Sequence, residues 1–176
     1  MNKLEARKIA LKRRIELYND NLNNLVVKKL IPLIKDYKNI GIYYPIGKEI
    51  NILSIMDIYP DKNFYLPITN EEISFVKYNK GDALYDGLFN TKEPKGTIVD
   101  RSNIDCFIIP CLAISKSKKR LGYGKGYYDR YLSNYNGIKI GVIYKELNNL
   151  DFIDDDFDVV LNIIIEGWEL CIQQFF

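Results

Sequence analysis

Asp105-Cys106-Phe107-Ile108-Ile109-Pro110 and, nine residues further on, Arg120-Leu121-Gly122-Tyr123-Gly124-Lys125-Gly126-Tyr127-Tyr128-Asp129 decide the fold of this chain. The first stretch is short, apolar on both faces and bounded by turn formers, which predicts a strand buried on both sides at the centre of a sheet. The second places a glycine at every second position, so the chain can turn tightly and bring its backbone N–H groups together. A helix over residues 127–132 is predicted to open directly from that loop. Strand, glycine loop and helix in this order form one step of an α/β domain.

The same alternation continues outward from this step. Residues 138–144 read as a further strand and residues 159–165 as the last apolar run. Towards the N-terminus, residues 39–44 read as a buried strand stopped by Pro45, residues 64–66 as a strand before Pro67, and residues 73–78 as a third. Asn51 is placed to cap a short helix ending near Ile58. Residues 81–100 contain three glycines and a proline and predict a long surface excursion of the kind that often carries function. Residues 3–17 lack Gly and Pro and carry Leu4, Ile9, Leu11 and Ile15, which argues for a helix with Lys3, Arg7 and Arg14 on an adjacent stripe. A second helix follows, with Asp20 or Asn21 as cap, Leu22, Leu25, Val26, Leu30 and Leu33 at helical spacing, and Pro32 marking a kink or break. With no internal repeat or linker, a three-layer α/β/α sandwich with a mostly parallel, Rossmann-like sheet is expected, with residues 1–176 forming a single domain.

Composition narrows the chemistry. Of 176 residues 47% are hydrophobic, enough for a sizeable core, and 25 Lys and Arg against 23 Asp and Glu leave a net charge of +2, too little for a nucleic-acid or membrane surface by bulk electrostatics. Any anion site must be local. The chain contains no histidine, which removes His-based triads, the commonest general base near neutral pH and most zinc sites. No uncharged stretch approaches the roughly 20 residues needed to span a bilayer, and charges rather than an apolar signal core follow Met1, so a soluble cytoplasmic protein with no membrane partner is expected. Cys106, Cys111 and Cys171 form no C-x-x-C pair and lie in apolar runs, where cysteine packs as a small hydrophobe.

Arg120 and Lys125 add two cations to the glycine loop, making a phosphate cradle in the general sense. The spacing matches neither Gly-x-x-x-x-Gly-Lys-[Ser/Thr] nor Gly-x-Gly-x-x-Gly. Asp129, on the first turn of the proposed helix, is placed to hold a Mg²⁺ that bridges phosphates through its water shell. Gly41 to Lys48 imitates a Walker loop but has one residue too many between its glycines, and Glu49 stands where a Ser or Thr belongs. Glu49 is instead a carboxylate at the mouth of a strand, the side of an open α/β sheet where ligands bind. Near the C-terminus, Asp154-Asp155-Asp156-Phe157-Asp158 would ordinarily be a solvated run, yet Asp158 stands at a strand boundary and is a candidate second metal carboxylate.

The segment from Arg120 through Asp129 to Leu132, preceded by a strand ending in Pro110, resembles the signature of the 5-formyltetrahydrofolate cyclo-ligase family, also called methenyltetrahydrofolate synthetases. Lys3 and Arg7 in the first helix, Tyr43 to Ile50 after the first strand, Glu93-Pro94 and Asp154-x-x-x-Asp158 extend the similarity over about residues 3–165. The resemblance implies ATP-dependent closure of 5-formyltetrahydrofolate to 5,10-methenyltetrahydrofolate with release of ADP and phosphate, through phosphorylation of the formyl oxygen and attack by N10. It implies ATP contacts at Lys3, Arg7, Arg120, Leu121, Gly122, Tyr123, Gly124, Lys125, Gly126, Tyr127 and Tyr128, with Lys125, Arg120 and Tyr127 nearest the chemistry. It implies folate contacts at Tyr44, Glu49, Tyr123, Gly124, Lys125, Gly126 and Tyr127, Mg²⁺ at Asp129 and Asp158, and a monomer acting on a small molecule. One departure stands out: where members carry Glu-Gln after the strand that follows the signature helix, this chain has Glu146-Leu147.

A competing reading is a basic α/β module that contacts nucleic acid through the first helix and residues 116–120. It accounts for the charge but not for the spacing of the glycines.

Overall fold

The computed structural model describes residues 1–168; Cys171 and most of the 166–176 tail lie outside the described residues. In chain order the elements are α1 (Lys3–Leu17), α2 (Asn21–Ile34), β1 (Asn39–Gly41), α3 (Ile55–Ile58), β2 (Asn63–Thr69), β3 (Ile73–Tyr78), β4 (Tyr85–Asp86), β5 (Lys92–Glu93), β6 (Cys106–Pro110), β7 (Ala113–Ile114), β8 (Arg120–Leu121), α4 (Tyr127–Tyr131), β9 (Ile138–Tyr144) and β10 (Ile163–Gly167). Six strands form one sheet in the order β10-β9-β6-β1-β2-β3. Every pairing is parallel except β2 with β3, which returns antiparallel at the edge. Helices flank the sheet in the expected three-layer arrangement.

Strand β6 lies inside the sheet and all five of its residues are buried, as its two-sided apolar run predicts. Phe107, its second residue, meets the rings of Phe75 and Tyr135, each at 5.0 Å, and of Tyr131 at 5.7 Å. Its ring also fixes the residue beside it on β1: a Cβ on Gly41 would lie 2.2 Å from Phe107 Cδ1. Strand β1 is three residues long rather than the predicted six, although Ile42 N–H still donates to the Tyr65 carbonyl at 2.8 Å.

Strand β2 runs through Pro67 instead of stopping before it. Tyr65 presents its carbonyl to β1, so Pro67, two residues on, faces the same side beyond the end of β1, where the ladder requires no donor. Helix α2 likewise carries Pro32 within its last turn. Asp20 occupies its N-cap position, as one of the two expected residues, but makes no side-chain cap bond; the Asn19 side chain instead accepts from Asn21 N–H at 2.9 Å. Asn51 accepts from Leu53 N–H and starts a turn, and α3 itself begins only at Ile55. The apolar run at 159–165 divides, with Val159 and Leu161 pairing to residues 120 and 118 before β10 begins at Ile163.

The face of α1 reverses the expectation. Leu4 is 60% and Ile15 68% exposed, with Ile9 and Leu11 also outward, and the buried positions are Ala6, Ala10 and Arg14. The two alanines allow close approach to the β7 ribbon, and the cations find partners beneath. A capping box between Asn2 and Glu5 secures the first turn, a contribution of about 1 kcal/mol.

Candidate active site

The chain leaves β1 for β2 and β3 on one side of the sheet and later fills the other side with β6, β9 and β10, so the strand order reverses between β1 and β6. Open α/β sheets bind ligands outside the carboxyl ends of the strands at such a reversal. A cleft of about 570 Å³ opens there, lined by Tyr43 and Tyr44 after β1 and by Pro110 at the end of β6. That is ample for a small-molecule substrate.

The glycine loop forms one wall. Gly124 and Gly126 have φ of +105° and +69°, which side chains of L-residues rarely adopt, and a Cβ on Gly122 would lie 2.5 Å from Arg120 Nη1. The loop is braced at both ends: Arg7 Nε donates to the Gly122 carbonyl at 2.9 Å, and Arg130 Nη1 donates to the Lys125 carbonyl at 2.9 Å. Arg120 is buried beneath it, donating through Nε to the Pro110 carbonyl at 2.7 Å and stacking on Tyr128 at 4.6 Å. Lys125 has no carboxylate partner among the described residues, and its ammonium lies 5.4 Å from the centre of the Phe89 ring.

Lys3 of α1 reaches residues at the far end of the sequence, placing its ammonium 2.6 Å from both Asp155 and Asp158. Burial disfavours the Lys3 charge, but the hydrogen bonds it donates to the two carboxylates, together with their negative charge, outweigh it and leave the pKa raised. Asp158 Oδ2 also accepts the Asp155 amide. Asp129 Oδ1 accepts Val159 N–H at 3.1 Å, which brings it beside this pair. Asp154 turns away to Ser117 and Lys119, and its pKa is lowered by hydrogen bonds from Ser115 and Ser117. No group of three or more His, Cys, Asp or Glu side chains among the described residues could hold a metal alone.

Glu49 occupies another part of the wall, 4% exposed. Its Oε2 accepts Ile46 N–H at 2.9 Å and its Oε1 accepts the Tyr123 hydroxyl at 3.4 Å. Burial raises the pKa of its carboxyl against the pull of the Ile46 amide, Arg14, Arg120 and Tyr123. Tyr44, Ile46, Pro67, Ile73 and Phe89 supply apolar surface. Phe89 stands at the tip of the β4–β5 ribbon with φ +59°, and Glu93 anchors that ribbon by accepting Thr69 N–H at 3.0 Å and Thr69 Oγ1 at 2.8 Å.

Every site residue expected from the sequence lines this one cleft. Asp155, Phe89, Pro67, Thr69 and Ile73 join them without having been singled out. The long 81–100 excursion was the signal for Phe89, and nothing local separates Asp155 from Asp154. Cys106 and Cys111 are buried, their thiols pushed up to about 12 mainly by desolvation, and they pack as hydrophobes.

Residues 2–166 match the model of the 5-formyltetrahydrofolate cyclo-ligase family. The chain is 33% identical to a 5-formyltetrahydrofolate cyclo-ligase of Mycoplasma genitalium, over 94% of this chain and 98% of that one. Its fold superposes with a TM-score of 0.83 on a 5,10-methenyltetrahydrofolate synthetase of Aquifex aeolicus, 30% identical, covering 96% of this chain and 91% of the other. A synthetase of the same name from Mycoplasma pneumoniae gives a TM-score of 0.77 at 28% identity, with coverage of 96% and 100%.

Proposed function

The chain belongs to the 5-formyltetrahydrofolate cyclo-ligase family and is a ligase of folate metabolism, and we propose that it closes 5-formyltetrahydrofolate to 5,10-methenyltetrahydrofolate with ATP and Mg²⁺, releasing ADP and phosphate. The observation that carries this reading is a single cleft that joins a cation-bearing glycine loop to a buried carboxylate and an apolar wall. ATP would supply the phosphoryl group that turns the formyl oxygen into a leaving group, after which N10 attacks the activated carbon.

The protein's share is positioning and charge neutralisation, which a site without histidine can provide. Arg7 and the amides of the glycine loop face the phosphates, and Lys125 neutralises the transferred group. Asp129 and Asp158 would hold the metal, which would neutralise charge on the phosphates, with the Lys3 ammonium balancing Asp155 and Asp158. Glu49 accepts the donor edge of the pterin, and Tyr44, Tyr123 and Tyr127 flank the ring. We place the enzyme in the cytoplasm as a monomer; no described helix is long and apolar enough to cross a membrane. The rival nucleic-acid reading loses half of the α1 cations it would use: Lys3, Arg7 and Arg14 bond to groups inside the fold, and only Lys8, Lys12 and Arg13 remain on the exposed face.

Purified protein given ATP, Mg²⁺ and 5-formyltetrahydrofolate should develop the near-ultraviolet absorbance of the methenyl product, and correctly folded protein that does not would end the proposal. Lys125→Ala should lower kcat by on the order of 10²–10³ with folate affinity little changed. An equal loss of both would reduce Lys125 to a shaper of the loop.

A further inference from the structure

Arg14 does not line the cleft, yet it is the most deeply buried cation of α1, 3% exposed. Its Nη2 donates to the Cys111 carbonyl at 2.7 Å and its Nη1 to the Tyr123 hydroxyl at 2.9 Å. That hydroxyl in turn donates to Glu49 Oε1, and Arg14 Nη1 itself lies 3.9 Å from the same oxygen. A relay of three groups therefore runs from a cation that does not itself line the ligand space to a carboxylate that faces it. Arg14 Nε is buried without a hydrogen-bond partner among the described residues. Buried ion pairs are weak contributors to stability, and one that leaves a donor unpaired is a poor device for packing a helix.

We propose that Arg14 is a positioning residue for the folate subsite: it keeps Glu49 an ionised, correctly turned acceptor for the paired N–H donors of an amino-pyrimidinone edge. The proposal rests on the functional reading above. The groups facing Glu49 are Arg14 from α1, Arg120 from β8, Tyr123 from the glycine loop, Tyr43 after β1, Cys111 after β6, Tyr128 from α4 and Tyr144 from β9. The thiol and the phenols are pushed upward, chiefly by burial, and bring no positive charge. Arg120 is already committed to the Pro110 carbonyl and the Tyr128 ring. Arg14 is thus the cation aimed at Glu49. Without it, burial would protonate Glu49 at a higher pH, and a neutral acid would present its own O–H to a donor edge.

The test compares wild type, Arg14→Met and Arg14→Lys by the pH dependence of turnover and, without ATP, of folate Kd by equilibrium dialysis. Arg14→Met should move the acid limb of both upward by about one pH unit and raise the folate KM about tenfold, with the ATP KM within about twofold. Arg14→Lys, which keeps the charge but loses the fork, should show roughly half that displacement. In a Glu49→Gln background Arg14→Met should add less than about twofold, since no carboxylate remains to be held. An unmoved limb, a parallel rise in the ATP KM, or a full effect that persists in Glu49→Gln would each overturn the assignment. Should Arg14→Met be insoluble, Arg14→Lys decides by the same criteria. A wild type that binds folate but makes no methenyl product overturns the functional reading instead, and the Kd limb still judges Arg14.

Discussion

Helices α1 and α2 are nearly equal in length, fifteen and fourteen residues, and they attach to the rest of the molecule by opposite means. Helix α2 buries Leu22, Val26, Val27, Leu30 and Ile34, and packs along β10. At about 1.5–3 kcal/mol for each fully buried aliphatic side chain, it is a main contributor to stability. Helix α1 turns Leu4, Ile9, Leu11 and Ile15 outward and docks through Ala6 and Ala10, with Lys3, Arg7 and Arg14 bonded to Asp155, Asp158, the Gly122 and Cys111 carbonyls and Tyr123. Each such bond contributes about 1 kcal/mol net, more where charged. One helix holds the fold and the other brings charge to the site. The buried face of a helix is set by what lies opposite, not by where its hydrocarbon is.

The division can be broken most forcefully at Leu30, which is fully buried. Leu30→Ala should cost about 2–5 kcal/mol, lowering the melting temperature by roughly 4–20 °C, while kcat and both KM values of the folded fraction stay within about twofold. A KM change of tenfold would show that α2 also shapes the cleft. Arg7→Ala is the counterpart on α1: kcat/KM for ATP should fall by on the order of 10², about 2.7 kcal/mol, with stability lowered by no more than the about 1–3 kcal/mol of one charge-assisted hydrogen bond. A large drop in melting temperature would mean that α1 is structural after all. Ala10→Leu should do both at once, overpacking by about 1–3 kcal/mol and lifting the helix so that the ATP KM rises in the same variant. Smallest of all, Leu11→Gln or Ile15→Gln should alter stability by no more than about 0.5 kcal/mol and leave steady-state rates unaffected.

The same contrast explains what the sequence disclosed. Strand β6, α2 and the glycine loop were legible because each obeys a local rule: a two-sided apolar run, a 3.6-residue period, a backbone needing positive φ at Gly124 and Gly126. The inward face of α1 was not, because its partners lie up to 155 residues away and no local pattern records them. Pro67 misled for a related reason: whether proline ends a strand depends on whether the neighbouring strand reaches that far. At the site, Glu49 was found by its place after a strand, but its burial and its link to Arg14 are tertiary facts. Asp155 and Asp154 differ only in which way the loop turns, and that is decided by Lys3 and Lys119.

The bond between Lys3 and Asp158 also bears on synthesis. At about 5–20 residues per second, roughly 8–30 s separate the emergence of the lysine from that of the aspartate. For most of that interval α1 lacks the Gly122 carbonyl, and until close to its end it lacks both carboxylates, while its outward hydrocarbons are as exposed as they will be in the finished protein. The end of the cleft where Lys3 meets Asp155 and Asp158 is therefore among the last parts to assemble, so a ribosome-bound chain halted before residue 155 could complete much of its sheet and still leave that end of the cleft unfinished.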